Sequence, residues 1–600
     1  MKALRGAAAL ALACASLAAG TALAAEPASA QAGARRPNIL LVVADDLGYS
    51  DLGAFGGEIA TPNLDRLAAT GVRLTGFHAS PFCSPTRAML MSGVDNHLVG
   101  FGAMGELVQP LQAGRPGYEG YLNNRALPFP ELLQAAGYHT YMAGKWHLGT
   151  SEETSPANRG FEQSYAMVMG GASHFDQTGI ITMDANKDPV VIYRDNGKPV
   201  NLAPGFFSSE AYASKVIQYI DHDRGDGKPF FAYLAFTAPH WPLQAPDEYI
   251  RKYEGKYDVG YDVIRERRLA RMKALGIIPK DSTFYAGNPV WPKWNQLTPE
   301  QKRQESKRMA VYAAMVEAMD HHLGRVIDHL KQIGEYDNTF IFFMSDNGAD
   351  GNSVLDEGQD RPWNRLHRNN KVENIGKADS FAEYGPGWAQ VSSLPFKMYK
   401  AFEYEGGISV PAIAVAPKLA KPGSIRPQFG HVTDIAPTLL ELAGASYPGA
   451  NAKGRDVVPL QGRSMLAFLS GDAPRIHGPD QVTGWELGGR KAIRKGDWKL
   501  VYASWPWGSG QWELYDLASD RTEQHDLAGQ RPEKVEELLA AYQAYVKQNG
   551  VVDAPGLSSR PGYSNALNYY DDISAEEARY PLTYYEPTAP AAPAQAAAAR

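Results

Sequence analysis

Asn38-Ile39-Leu40-Leu41-Val42-Val43-Ala44-Asp45-Asp46 is the stretch that decides the fold. Every residue from Ile39 to Ala44 is apolar, which suits a strand covered on both faces, as in a parallel sheet. Two carboxylates follow without a break. Ligands of open α/β sheets sit beyond the carboxyl ends of the strands, where Asp45 and Asp46 would stand. The same strand-then-polar-tip pattern recurs along the chain. Tyr138–Ala143 leads into Gly144-Lys145-Trp146-His147, Phe230–Phe236 into Thr237-Ala238-Pro239-His240, and Phe340–Met344 into Ser345-Asp346-Asn347-Gly348. Helices are predicted between them. One opens at Thr61-Pro62, with Thr61 as its cap, and stops at Gly71; one covers Pro130–Ala136; a long one runs from about Gln304 to Ile333 and closes at Gly334. Alternating helices and apolar strands predict an α/β fold with a large, mostly parallel sheet flanked by helices.

Two segments, Glu248–Glu300 and Ala349–Phe396, carry little regular patterning apart from a basic helix near Val263–Leu275. Loops of that length serve as binding loops or lids, or as plain solvated insertions. Pro411–Ala416 reads as a further strand, and Asp434-Ile435-Ala436-Pro437 opens a helix ending at Gly444. Composition shifts near Gly471–Pro479. Beyond it, Lys491–Ile493, Trp498–Ala503 and Gln511–Leu517 read as short antiparallel strands, followed by a helix over Pro532–Gln548. The expected organisation is a catalytic domain over 36–475, a smaller C-terminal α+β domain with an antiparallel sheet over 476–552, and a tail over 553–600. The Ala/Pro-rich end of that tail is expected to be disordered.

At the N-terminus, Lys2 and Arg5, the apolar Ala7–Ala19 and then Ala22-Leu23-Ala24 form the pattern of a secretory signal peptide over 1–24. Cleavage after Ala24 is the first choice and after Ala30 the second, so a periplasmic or secreted bacterial protein is expected. A lipoprotein anchor through Cys14 is the weaker alternative, because Ala11 stands where a lipobox usually has Leu. No later stretch is long and apolar enough to span a bilayer, so no integral membrane anchor is expected. The net charge of −7 argues against a nucleic-acid partner. Of 2 cysteines, Cys14 would leave with the leader, so Cys83 would stand alone, without a disulfide partner. Oligomeric state leaves no mark in the sequence.

Cys83 lies in Pro81-Phe82-Cys83-Ser84-Pro85-Thr86-Arg87. Pro85 suits the first turn of a helix, which puts Arg87 one turn beyond Cys83. Free N–H groups and the helix dipole favour an anion there. The segment reads as a nucleophile beside an anion cradle, or as a buried structural thiol. Asp45, Asp46, Asp346 and Asn347 offer oxygen donors at two strand tips. Clustered carboxylates are costly to bury unless a cation neutralises them, and all-oxygen ligation favours Ca²⁺ or Mg²⁺ over Zn²⁺. Each pair alone also fits a turn or a helix cap. In an extended segment Lys145 and His147 would point to one side and could grip an oxyanion with Arg87, Lys400 and His240. A lone His is more often structural, and His321-His322 read as surface or packing residues.

Cys83-x-Pro85-x-Arg87, followed by Leu90-Met91-Ser92-Gly93, resembles the maturation motif of the type I sulfatases. Gly137–His147 resembles their second signature. Asp45-Asp46 and Asp346-Asn347 match the metal pairs, and Thr237–His240 matches the segment of the substrate histidine. Lys400 stands five residues before Glu405-Gly406-Gly407, as in the family. Ser92 and Ser409 depart from the pattern, where Thr and Arg are usual. The Ser92 change touches no nameable chemistry, and the Ser409 change is not expected to abolish activity. The resemblance runs from about Pro37 to Leu527, and Gly93–Leu98 with the long insertions looks most like bacterial arylsulfatases of the Pseudomonas type.

What the resemblance implies is an alkaline-phosphatase-like sheet and an arylsulfatase, a hydrolase converting sulfate monoesters to a phenol or alcohol and inorganic sulfate. It implies that a maturation enzyme oxidises Cys83 to formylglycine. The hydrated aldehyde, on Ca²⁺ (ahead of Mg²⁺) with Asp45, Asp46, Asp346 and Asn347 and held by Arg87 and His147, attacks sulfur to give a covalent sulfo-enzyme. Asp346 is then the proton acceptor. Lys145, Lys400 and His240 neutralise the sulfate oxygens, His240 or Lys400 protonates the leaving alcohol, and His147 is the base for sulfate elimination. Two rival readings stand beside this one. A phosphonate monoester or phosphate ester hydrolase would differ in rates on matched aryl esters. An inactive, metal-stabilised binding protein would keep Cys83 as a thiol. The natural sulfate ester, whether aryl, alkyl or sugar, is not legible in the sequence.

Overall fold

The computed structural model describes residues 35–554 apart from 181–188, 290, 352–366, 417–420, 450, 453 and 506. The expected leader with Cys14, nearly all of the tail and part of the second insertion lie outside the described residues.

A ten-stranded sheet runs in the order Ser424–Arg426, Val72–Leu74, Ala412–Val415, Thr339–Ser345, Asn38–Ala44, Phe230–Ala235, His139–Lys145, Gln163–Met167, Tyr193–Asp195 and Lys198–Val200. Its centre is parallel: Asn38–Ala44 pairs in parallel with both Phe230–Ala235 and Thr339–Ser345, and His139–Lys145 with Phe230–Ala235. The carboxyl ends of these strands therefore share one edge. All residues of Asn38–Ala44 are buried. Leu40 and Val42 pack into a core shared with Met309, Val316 and Leu323 of the helix Pro299–Gln332. Ile39, Leu41 and Val43 face the other core, filled by the helices Cys83–Ser92, Phe129–Ala135 and Ile435–Ala443. Cover on both faces is why this strand reads as unbroken apolar sequence.

Several boundaries differ from expectation. The long helix starts at Pro299 rather than near Gln304, because Thr298 and Gln301 form a capping box. Thr61 stands at the N-cap of Pro62–Thr70 without capping it; its Oγ1 donates instead to Asp65 Oδ1 at 3.1 Å. Within the second insertion, Gly385–Ser392 is a helix that the sequence does not announce. The strand His139–Lys145 runs two residues past Ala143. Gly144 permits this: its φ is 122°, and a Cβ there would lie 1.7 Å from Ala235 O.

Beyond the large sheet, Val482–Leu487, Arg490–Lys495, Trp498–Tyr502 and Trp512–Asp516 form a four-stranded antiparallel sheet in sequence order. The helix Pro532–Asn549 covers it through Leu538 and Tyr542. This sheet is joined to the large one by buried charge. Lys499 Nζ lies 3.0 Å from Glu405 Oε1 and 2.8 Å from Glu523 Oε1, and Trp485 Nε1 donates to Ala79 O. At Ser409, where the family usually has Arg, a guanidinium arrives from elsewhere. Arg521 Nη2 donates to Ser409 Oγ at 3.2 Å, with Arg521 Nε 3.7 Å from Glu405 Oε2.

His97 is a second buried charge at this junction, 2.9 Å from Asp95 Oδ1 and 3.4 Å from Glu486 Oε2. Burial disfavours its charge, but the Asp95 and Glu486 carboxylates outweigh that and raise its pKa to about 9. Its stabilisation is thus complete below the unfolded value of 6.5 and lost as pH rises through about 9. His97→Gln is expected to cost on the order of 3 kcal/mol near pH 6 and much less near pH 10. Denaturant melts of both proteins at the two pH values check this; equal losses would contradict it.

Candidate active site

The site forms where the central strands end and the Cys83 helix begins. That helix, Cys83–Ser92, starts on Cys83 itself, and all ten of its residues are buried. Cys83 Sγ lies 3.8 Å from Asp46 Oδ1. Burial pushes its thiol pKa well up, against the pull of Lys145 and Lys400. As a thiol, Cys83 is therefore protonated and a poor nucleophile. One turn on, Arg87 Nη2 and Nε donate to Asp346 Oδ2 at 2.7 and 3.0 Å, and Nη1 donates to Lys145 O at 3.0 Å. Burial opposes the charge of Asp346, yet Arg87, then Lys145 and Lys400, hold its pKa below the usual value.

Asp45, Asp46, Asp346 and Asn347 all converge here and are fully buried. Lys145 Nζ straddles the Asp45 carboxylate at 2.7 and 2.8 Å, and Lys400 Nζ lies 2.8 Å from each oxygen of Asp46. Burial still raises Asp45 to about 6 and Asp46 well above its ordinary value. A cation among these oxygens would reverse both shifts. The Asn347 amide also fits a cation. Its Nδ2 donates to Asp46 Oδ1 at 2.7 Å and to Gly348 O at 2.9 Å, which fixes its orientation. Its Oδ1 is buried and has no hydrogen-bond partner among the described residues. Three carboxylates and an amide oxygen make a hard donor set suited to Ca²⁺ or Mg²⁺.

The cationic side differs in one respect from the sequence reading. Lys145 and His147 do not share one side of an extended segment. The strand ends at Lys145, and His147 has a left-handed backbone with φ 56°. Lys145 turns to Asp45, while His147 Nε2 lies 3.2 Å from Glu106 Oε1. His240 Nε2 comes within 3.5 Å of Asp46 Oδ2. Potential ligand atoms of Asp45, Asp46, Cys83 and His240 lie within 4.8 Å of one another, so His240 stands closer to the acidic cluster than expected. Its Nδ1 is 2.6 Å from Trp241 O, and burial, then Lys145 and Lys400, push its pKa well down. A neutral His240 with its proton on Nδ1 presents an unprotonated Nε2. Asp46, Met398 and Ala401 are likewise left-handed, at φ 66°, 63° and 77°. Each costs about 1–2 kcal/mol, a local strain sustained where site loops must turn sharply.

Two site residues escape the sequence. Asp350 Oδ2 accepts from Trp241 Nε1 at 2.9 Å and lies 3.0 Å from Lys400 Nζ. Glu106 reaches His147 from a glycine-spaced loop without hydrophobic periodicity. Asp350 stands only three residues past Asn347, a proximity that is the sole signal in the sequence. Four carboxylates, of Asp45, Asp46, Asp346 and Asp350, thus face three fixed cations, Arg87, Lys145 and Lys400.

The chain belongs to the sulfatase family, and its relatives make it a sulfuric ester hydrolase. The family model Sulfatase matches residues 37–445, and N-sulphoglucosamine sulphohydrolase, C-terminal, matches residues 396–548. The chain is 46% identical over 539 residues to an uncharacterized sulfatase of Schizosaccharomyces pombe, covering 88% of this chain and 96% of that one. It is 40% identical over 436 residues to the arylsulfatase of Klebsiella aerogenes, covering 72% and 92%. Among solved structures, Ps i-CgsB in complex with k-i-k-neocarrahexaose superposes with a TM-score of 0.60 at 25% identity, covering 86% of this chain and 94% of that one.

Proposed function

We propose that this sulfatase is an exported arylsulfatase whose nucleophile derives from Cys83 through a maturation enzyme, with Ca²⁺ held by Asp45, Asp46, Asp346 and Asn347. The observation that carries the reading is the buried, oxygen-rich cluster with Cys83 against it and the unpartnered Asn347 Oδ1 within it. The metal and the aldehyde hydrate would together supply a polarised oxygen nucleophile at neutral pH. An aryl group is supported by the 40% identical arylsulfatase and by Trp241, whose ring centroid lies 4.6 Å from that of His240.

Within this reading Arg87 and His147 hold the nucleophile and Asp346 takes its proton. Lys145 and Lys400 bind the sulfate oxygens, and His240 joins them as a donor once its Nε2 takes a proton. Lys400 is the better proton donor to the leaving alcohol. Burial works against its charge, but Asp350 and Asp46 keep it firmly protonated, whereas His240 is neutral. Lys400→Met is therefore expected to lower turnover most for esters of poorly acidic alcohols, and His240→Ala by about a hundredfold or more whatever the leaving group. A change of only a few-fold on His240→Ala would remove it from contact with substrate.

The reading as a whole is tested on matched aryl sulfate, phosphate and phosphonate esters, with alkyl and sugar sulfates, before and after Ca²⁺ removal. Aryl sulfate should be fastest and should need the metal. Faster phosphonate hydrolysis would support the rival esterase instead.

A further inference from the structure

We propose that Glu106 is a positioning residue: it accepts the Nε2 proton of His147 and so fixes the ring in the tautomer that leaves Nδ1 as the basic nitrogen. The inference rests on the reading of His147 as a working group of the sulfatase site. Glu106 sits in the short turn Gly105–Leu107, and its Oε1 lies 3.2 Å from His147 Nε2. The ring is 7% exposed and the carboxylate 38%, so water reaches the acid and hardly the imidazole. His147 Nδ1 is buried and has no hydrogen-bond partner among the described residues. One nitrogen is thus committed to a carboxylate and the other is uncommitted.

The ring has little freedom to exchange these roles. Its backbone is held left-handed at φ 56°, and a Cβ on Gly170 would stand 3.0 Å from both ring Cε1 and Nε2. The glycine therefore leaves room for this ring edge to lie against the chain and face Glu106. Burial, with Lys145 and Arg87 nearby, keeps the imidazole neutral in spite of Glu106. A neutral imidazole carries one proton, and an ionised carboxylate can only accept. Glu106 is open to water and accepts from His147 Nε2, and both favour its ionised form. The proton accordingly belongs on Nε2 and the lone pair on Nδ1. This is the arrangement in which a carboxylate orients a histidine base and raises its basicity.

The direct test reads the tautomer without turnover. Imidazole ¹⁵N spectra of the protein carrying Cys83 as a thiol should show His147 protonated on Nε2. Glu106→Leu should lose that preference, while Glu106→Gln, which keeps a carbonyl acceptor, should retain it. In matured protein, Glu106→Leu should lower kcat by about tenfold or more with KM within about threefold, and Glu106→Gln should recover most of the loss. A wild-type ring protonated on Nδ1 would overturn the proposal. So would a Glu106→Leu protein with unchanged spectrum and kcat. If Glu106→Leu fails to fold, the wild-type and Glu106→Gln spectra decide. An Nε2-protonated ring in a protein inactive on every sulfate ester would count against the arylsulfatase reading and leave this one standing.

Discussion

Cys83→Ser is expected to lower sustained turnover by at least about a thousandfold and to leave the protein carrying a sulfuryl group on the introduced hydroxyl. Cys83 stands at the first position of a helix, 1% exposed, and its thiol is held protonated. It is therefore poorly suited to act as a thiolate. A serine hydroxyl in the same place would face the same cations and could attack sulfur once. It has no second hydroxyl on the same carbon, so it could not expel sulfate by elimination. Intact-mass measurement after incubation with an aryl sulfate reads the adduct, and steady-state assays read the loss. Wild-type-like turnover by the serine variant would exclude a nucleophile with two hydroxyls on one carbon.

Arg87→Met is expected to damage both stability and activity. Arg87 is fully buried and donates two hydrogen bonds to Asp346, with further donation to Lys145 O and to Tyr233 Oη at 3.3 Å. Removing one partner of a buried pair strands the other charge, a cost of about 3–5 kcal/mol. Linkage gives a second signature. Because Arg87 holds the Asp346 pKa low, the Asp346 contribution is present above its unfolded pKa of about 3.9 and is lost as pH falls below it. The methionine variant lacks that contribution, so its deficit should shrink on acidification. Turnover should fall by about a thousandfold or more, since the same guanidinium positions Asp346. Arg87→Lys should recover part of the stability and less of the activity, because an ammonium cannot make the paired donation. Urea melts at neutral and acid pH, with parallel assays, separate the two effects.

Much of this site is legible because the fold writes it in repeated form. Three of the four central strands end at a candidate site residue: Asp45 after Ala44, Lys145 after Gly144, Asp346 after Ser345. Parallel pairing then carries those tips to one edge without further information. The outer strands leave a weaker trace. Val72–Leu74, Tyr193–Asp195 and Ser424–Arg426 are three residues each, too short for a period to show, and their pairing is set by the sheet they join. Glu106 and Asp350 are invisible for a related reason. Apart from the nearness of Asp350 to Asn347, nothing near them in sequence distinguishes them from solvated loop acids; only the folded positions of His147 and Lys400 give them partners. The misread pair, Lys145 with His147, fails at one bond: a left-handed turn at His147 ends the extended geometry that the reading required. Ser409 is the reverse case. It looks like a loss in sequence, and Arg521, from the turn after the last strand of the second sheet, supplies the guanidinium in space.

The central claim is that Cys83 is the precursor of the nucleophile in a metal-dependent arylsulfatase. Peptide mass analysis of the Cys83 segment, taken from protein purified with its aryl sulfatase activity, tests it most directly. The account predicts an aldehyde in place of the thiol, in a fraction of molecules that rises and falls with specific activity. Full activity in protein whose Cys83 is a thiol in every molecule would contradict it.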